Sequence, residues 1–414
     1  MPAPAIELTG QPIGAGLAII SPQCLLEVSS PFVLAMHHSG TMKWSIEFLL
    51  HALALSCAAL LPRLLCGGEP DSVALAESVA QSVDSGVEST SFHTGSARFD
   101  GEWAFGTYLM ATLGLGQTVL AHPEQKSRLL PAMQQSARRL VSDETNAFGS
   151  AAWGARGLSE LAHGSGHAYL GYANLALSML RLVDVETPEA ALHDALTEAL
   201  ASRLAAAPHA VFETYPGETY PPDIAMVAGS IALHDCALGL PERKTMPEWR
   251  RAFSRYIDAD SGLLQQVVDA RSGERLGPAR GSATGIAAYA LSFVDPALSQ
   301  RLYDGLRRQS LNVLGFGMIR EYAAGQPGSG DIDSGPVLFG VGVSATGFAL
   351  AGARLHGDSR LEGELYRTVN LFGVPLIDAH GSHFMAGGPL GNAILLAMTS
   401  ASFEWSRHCR KAAS

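Results

Sequence analysis

Apolar residues in this chain fall into two alternating kinds of segment. In one kind they run almost without interruption for twelve or more positions, too long for strands. In the other they recur every three or four positions among charged residues, the period of a helix with one buried face. The uninterrupted segments open near Glu102 (EWAFGTYLMATLGLG), His167 (HAYLGYANLALSML), Asp223 (DIAMVAGSIALHDCAL), Gly281 (GSATGIAAYALSF), Ser334 (SGPVLFGVGVSATGFALAGA) and Pro389 (PLGNAILLAMTSA), roughly 50 to 65 residues apart. Between them lie the amphipathic segments PEQKSRLLPAMQQSARRLV, PEAALHDALTEALASRLAA, MPEWRRAFSRYI, DPALSQRLYDGLRRQSL and RLEGELYRTVNLF, and residues 71 to 84 supply a sixth. A helix apolar on all sides is buried, and an amphipathic one covers it. Six of each at a fixed period predict an all-α fold of stacked helical hairpins, the (α/α)6 toroid, over residues 71–414, preceded by an N-terminal segment 1–70. A less regular all-α protein is the alternative.

In a closed ring the loops that open the six inner helices share one rim. These loops hold most of the unusual polar residues: Asp100 and Glu102 in FDGEW, His167 in HGSGHAY, Tyr215, Tyr220 and Asp223 in ETYPGETYPPD, Arg280 in GPARGS, Asp331 and Asp333 in GSGDIDSG, and His383 in GSHFMAGGP. Such convergence is what a pocket with a few placed polar groups requires. Aspartate at a helix start is also an ordinary cap, favoured by the helix dipole. Capping or turn formation is the first reading for Asp100 and Asp331, with a substrate contact as the other, whereas Asp223, after YPP, and Asp333, before SGP, are candidates for both capping and chemistry. A carboxylate on an apolar rim has a raised pKa, which suits a general acid. Histidine at 167 suits proton transfer near neutral pH. Arg280, among small residues, must pair with a rim acid or hold an anionic or hydroxylated substrate. Tyr215 and Tyr220 offer phenol donors or flat walls.

Composition narrows the classes. The net charge of -11 and the lack of a basic stripe argue against nucleic acid. The five cysteines, Cys24, Cys57, Cys66, Cys236 and Cys409, have no metal spacing and read as small buried apolar residues rather than a disulfide framework. His163, His380 and His383 likewise show no spacing that demands a metal, and no cofactor is expected. Residues 42–68 have the layout of a signal peptide, with Lys43, an apolar core and then small residues, although 41 residues precede them. A buried first helix and a membrane anchor through 42–66 are the alternatives; Glu47, His51 and Arg63 weaken the spanning one. Location follows this choice: periplasmic or membrane-associated with a signal or anchor, cytoplasmic without. The sequence leaves a homo-oligomer open.

The stretch from Glu102 to about Ser400 resembles the bacterial linalool dehydratase/isomerase family. The resemblance rests on GHAYLGYANLALSML, AAAPHAVFETYPGETYPPDIAMVAGSIALHD, MPEWRRAFSRYIDADSGLL, DPALSQRLYDGLRRQ and GSGDIDSGPVLFGVGVSATGFALAGARLHGD, in order and spacing. It implies the (α/α)6 fold and removal of water from, or isomerisation of, a tertiary allylic monoterpene alcohol without metal or organic cofactor. The family's histidine falls on His167. Its two active-site cysteines fall near Thr214 and on Asp223, and a rim tyrosine falls near Ala283, so these positions differ. Asp100 and Glu102 are local candidates for its N-terminal catalytic aspartate. The departures count against linalool itself as the substrate but keep acid–base capacity.

Three functions follow. In the first, a cofactor-independent dehydratase or isomerase, Asp223 is the general acid, His167 a base or orienter, and Asp333 a charge stabiliser or proton relay. Glu102, Tyr215, Tyr220, Arg280, Asp331, Asp100 and Thr214 then contact a small hydroxylated substrate. The second is a glycosidase or lyase with Asp223 and Asp333 as its carboxylate pair and Tyr215, Tyr220 and Trp103 as sugar platforms. The third is a non-catalytic toroid that binds a lipid or terpenoid.

Overall fold

The computed structural model describes residues 71–164, 166–332, 334–378 and 381–409, together with His51 and Ala54. The chain divides into two units, Met1–Ala59 and Leu60–Ser414. In the first, His51 and Ala54 are helical and exposed. The rest of segment 42–66 lies outside the described residues, as do Cys24, Cys57, Cys66, Asp333 and His380. Among the described residues no helix is long and apolar enough to cross a membrane.

The second unit is mostly helical, with a few short strands. Six of its helices match the continuous apolar segments: α2 (Ala97–Ala121), α6 (Leu170–Val183), α8 (Pro221–Leu238), α10 (Gly281–Leu291), α12 (Val343–Leu355) and α14 (Gly388–Thr399). All eleven residues of α10 are buried, which explains why its sequence has no polar face. Six more match the amphipathic segments: α1 (Ser72–Ser85), α3 (Lys126–Leu140), α7 (Ala190–Ala206), α9 (Met246–Phe253), α11 (Pro296–Arg308) and α13 (Ser359–Gly373). On α11 the buried stripe is Leu298, Leu302, Tyr303 and Leu306, while Arg307 and Arg308 close the last turn, where the dipole favours cations. Asp71, Asp295 and Asp358 cap α1, α11 and α13 by accepting backbone N–H bonds. Two short helices, α4 (Ala147–Trp153) and α5 (Gly157–Leu161), lie in the connection between α3 and α6.

The apolar helices pack in sequence, α2 on α6, α6 on α8, α8 on α10, α10 on α12 and α12 on α14, and α14 packs back on α2. Against them lie α1 and α3 on α2, α7 on α6 and α8, α11 on α10 and α12, and α13 on α12. Glycine allows two of the close approaches. A Cβ on Gly171 would stand 2.7 Å from the backbone nitrogen of Val227, and one on Gly229 would stand 2.6 Å from the carbonyl oxygen of Ala290. Between α14 and α2, Gln117 donates to the Ala397 carbonyl at 2.9 Å and accepts from the Tyr289 hydroxyl at 3.1 Å.

Among the described residues four antiparallel hairpins decorate the helices: β1 (Leu264–Gln265) with β2 (Ala279–Arg280), β3 (Ser310–Val313) with β4 (Phe316–Ile319), β5 (Val337–Leu338) with β6 (Val341–Gly342), and β7 (Pro375–Asp378) with β8 (Gly381–Phe384). The third corrects the sequence reading, which opened the fifth apolar helix at Ser334; α12 begins at Val343. Phe339 and Gly340 both take positive φ, 53° and 83°, the turn that a tight two-residue hairpin requires. Flanked by β-branched Val337 and Val341, this turn diverts the apolar run into strands. The sixth apolar helix begins where expected, whereas the second begins at Leu170, three residues after His167.

A second correction concerns the cysteines. Cys236, near the end of α8, and Cys409 form a disulfide that closes a loop of 173 residues. Pairing over that separation leaves no spacing signature, so two of the five supposed apolar cysteines are a covalent tie. Cys409→Ser should lower the unfolding free energy by roughly 2–4 kcal/mol, mainly by freeing the unfolded chain. Urea unfolding checks this: wild type in reductant should move to the variant's midpoint, and the variant should not respond to reductant.

Candidate functional site

Asp223 stands in the first turn of α8, behind Pro221 and Pro222, which preset the backbone there. It is half-buried and accepts two hydrogen bonds, from the Tyr172 hydroxyl at 2.8 Å and from the Thr214 hydroxyl at 2.6 Å. Burial pushes its pKa up; the bonds from Thr214 and Tyr172 oppose this, and the nearby charges of Glu102 and Glu218 add to it, leaving the carboxyl at about 6. Neither hydrogen bond caps the helix; the carboxyl is held by side chains of other elements. Removing one bond to the ionised form should raise the pKa further. Thr214→Val is therefore expected to move any pH-dependent step governed by Asp223 above about 6, and a pH–rate profile or a carbon-detected titration of the carboxyl reads the shift.

The loop 213–220 brings the next residues in. Its backbone closes a small bridge between Tyr215 and Glu218, with Gly217 at φ 79° making the turn. The Tyr215 hydroxyl donates to Glu102 at 2.8 Å, and the Tyr220 hydroxyl donates to Glu218 at 2.8 Å. Arg98, on the first turn of α2, joins both carboxylates: its Nε lies 3.1 Å from Glu102, its Nη2 lies 3.0 Å from Glu218, and its guanidinium covers the Tyr215 ring at 3.8 Å. Burial works to raise the pKa of Glu218, but bonds from Arg98 and Tyr220 outweigh it and hold the carboxyl low. Burial and the Glu102 charge push the Tyr215 phenol far up, so it stays a donor. Glu102, Tyr215, Tyr220, Thr214 and Asp223, all singled out in the sequence, thus meet.

His167 connects through an aromatic wall. It is buried with φ 72°, a backbone conformation uncommon for residues other than glycine. Its ring stacks on Trp153 at 4.3 Å, and the Trp153 indole donates to the Thr214 carbonyl at 3.1 Å. Its Nδ1 is buried without a hydrogen-bond partner, and burial lowers its pKa to about 4, so the imidazole is neutral at pH 7. Tyr169 stacks on Tyr215 at 5.8 Å, and Phe148 packs against both rings.

Arg280, Asp331 and Asp100 have partners of their own. Arg280, at the start of α10, donates from Nε to Glu321 at 2.8 Å and makes a two-pronged pair with Asp331. Glu321 is fully buried and also accepts from the Ser282 hydroxyl at 2.6 Å and its backbone N–H at 3.2 Å. Arg280 thus pairs with two carboxylates, Glu321 and Asp331. Asp331 also accepts from the Ser334 backbone N–H, as a turn-forming aspartate does. Asp100 accepts from the Thr94 N–H at 2.9 Å and its hydroxyl at 2.7 Å; these bonds lower its pKa and fix the turn before α2. No described hydrogen bond or ion pair joins these three to the Asp223 cluster.

Comparison with protein-family models and with curated proteins gives no match for this chain. The site therefore stands on its own geometry. Sequence reasoning misses Arg98, Glu218, Tyr172, Trp153 and Glu321. Glu218 lies within ETYPGETYPPD, where its position between two tyrosines is the only signal; Arg98 lies four residues before Glu102 on the same helix face, a spacing that invites an ion pair. An open surface cleft of about 550 Å³ lined by Pro247, Arg250, Arg251, Ser254, Asp295 and Leu298 contains none of these groups.

Proposed function

We propose that this chain is an (α/α)6 toroid and a cofactor-independent dehydratase or isomerase of the kind its sequence resembles, acting on a hydroxylated small molecule at the Asp223 cluster. The succession of helix contacts that returns from α14 to α2 supports the toroid. The observation that carries the chemistry is Asp223: a half-buried carboxyl poised at about 6 and held by two hydroxyls, with no direct ion pair to a cation among the described residues. Such a group is protonated often enough near neutral pH to act as an acid and ionised often enough to act as a base.

In the forward direction, protonated Asp223 gives its proton to the leaving hydroxyl oxygen. The carbon–oxygen bond breaks with its electron pair on oxygen, and water departs. A neighbouring carbon then loses a proton, and the carbon–hydrogen pair becomes the new double bond. The neutral His167 imidazole can accept that proton, or Asp223 itself can once ionised. Return of water at a different carbon of an allylic cation gives isomerisation instead. Tyr169, Tyr215 and Phe148, packed on one another with Arg98 over Tyr215, form a buried wall beside the carboxyl that keeps water from an electron-poor carbon. The Arg98, Glu102 and Glu218 lattice holds Tyr215 in register, so it is assigned to positioning.

A second reading draws support from the same cluster. Three carboxylates, Glu102, Glu218 and Asp223, lie close enough to influence one another, and acid plus ionised carboxylate is the equipment of glycoside hydrolysis. One assay separates the readings. Wild type and Asp223→Asn are incubated with tertiary allylic alcohols and with oligosaccharides, and alkenes and reducing ends are quantified. Alkene from wild type alone supports the dehydratase. New reducing ends move the protein to glycoside chemistry. Silence in both, with a ligand raising the melting temperature of both proteins, leaves a binding toroid.

A further inference from the structure

At the other end of α8 a second group of chemically able side chains meets. His193 and Asp194 are consecutive on α7, and His234 faces them from α8; one ligand atom from each lies within 4.8 Å of the others. His234 is about 16 Å along the helix from Asp223, taking 1.5 Å per residue, so this cluster is separate from the acid–base site.

The hydrogen bonds fix the tautomer of His193 and leave His234 facing acceptors on both sides. The Ser178 hydroxyl has one hydrogen, and two backbone carbonyls, of Asn174 at 2.8 Å and Ser230 at 2.9 Å, compete for it. Its oxygen therefore accepts from the His193 Nε2–H at 2.9 Å. That leaves His193 Nδ1 with an unshared pair, and this atom is buried without a partner in a residue that is 0% exposed. His234 stands between two carboxylate oxygens, Asp235 Oδ1 at 2.9 Å from Nδ1 and Asp194 Oδ1 at 3.1 Å from Nε2. A neutral imidazole has one N–H, so one of these contacts sets acceptor against acceptor. Either a second proton or a cation must resolve it.

We propose that His193 Nδ1, His234 Nε2 and an Asp194 oxygen bind a zinc-like divalent transition metal ion that clamps α7 to α8. Two imidazoles and a carboxylate, with a water as the fourth ligand, are a common zinc donor set. The surroundings suit it. His234 Nδ1–H then donates to Asp235, the carboxylate–histidine–metal arrangement, and Arg243 fixes Asp235 from Nε at 2.9 Å. Ser178 plays the same part behind His193. Asp194 is half-exposed and gives the ion access to solvent. Arg181, with Nη1 3.5 Å from Asp194, is the group that opposes a cation. The carboxylates Asp194, Asp235 and Glu198 outnumber the guanidiniums Arg181 and Arg243, leaving one net negative charge before the ion arrives.

The test uses the full chain without a histidine tag, stripped with chelator and titrated with Zn²⁺, and with Co²⁺ as a spectroscopic stand-in. One equivalent of zinc should bind, the melting temperature should rise by about 5 °C or more, and Co²⁺ should show the intense ligand-field bands of a tetrahedral site. Asp194→Asn, which keeps the size and shape of a half-exposed side chain, should weaken Zn²⁺ at least tenfold, and His234→Gln should abolish the Co²⁺ bands. No thermal shift and no tetrahedral bands would overturn the proposal. So would zinc binding as tight in both variants as in wild type, since the ion would then sit elsewhere.

Discussion

Asp223→Asn should reduce turnover by about 10²–10⁴-fold, the usual share of a general acid, while far-ultraviolet dichroism stays that of wild type. Asparagine keeps the shape and can still meet the Tyr172 and Thr214 hydroxyls, but it has no proton to give. The wild-type rate of the acid-dependent step should fall tenfold per pH unit above about 6, where the carboxyl ionises, and this limb should vanish in the variant. Stability should move the other way. A carboxyl lifted from 3.8 to about 6 on folding holds its proton more tightly in the native state. The stability this gives is fully present below about pH 4 and is lost as pH rises through about 6. The variant avoids the penalty of a buried anion, so at pH 8 it should be more stable than wild type by up to roughly 3 kcal/mol. Urea unfolding at pH 4 and pH 8 measures the crossover. Full activity in Asp223→Asn would remove the acid from the mechanism.

Glu321→Ala should be the most destabilising single change around Arg280, by about 3–5 kcal/mol. Glu321 is fully buried, and its carboxylate serves three donors, Arg280 Nε, the Ser282 hydroxyl and the Ser282 N–H. Truncation leaves the Arg280 guanidinium, itself 6% exposed, with the half-exposed Asp331 as its remaining carboxylate. The loss is a buried cation short of its counter-charge, which costs far more than a surface pair. Glu321→Gln keeps the acceptor and should cost less, and Asp331→Asn less again because water screens that pair. The order of the three midpoints in urea checks the argument.

The helices are legible because burial imposes its period on neighbouring residues: α10 and α11 can be read from GSATGIAAYALSF and DPALSQRLYDGLRRQ alone. The start of α12 is not, because an apolar run does not say whether it is strand or helix. The turn at Phe339 and Gly340 decides that through two positive φ angles. Within the site, Asp223, Tyr215, Tyr220, Glu102 and His167 can be named from polarity at helix starts, and Thr214 through the family resemblance. Their partners cannot. Arg98 reaches Glu218 across 120 residues, Tyr172 reaches Asp223 across 51, and Cys236 meets Cys409 across 173. Such pairs follow from the way helices pack, and no local pattern announces them. Glu321 sits in the short stretch MIREY, where nothing marks a charge as buried.

The return of α14 to α2 also bears on the order in which the chain is made. Gln117 finds the Ala397 carbonyl 280 residues later, and the flank of α2 that receives α14 waits for that helix to cover it. At ~5–20 residues per second, a ribosome needs on the order of 15–60 s to supply it. Throughout that time α2 has its neighbours α3 and α6 but presents an open greasy side to the cytosol or to a translocation channel. Every nascent copy must pass through that exposed state before residues 388–399 arrive to cover the flank of residues 97–121.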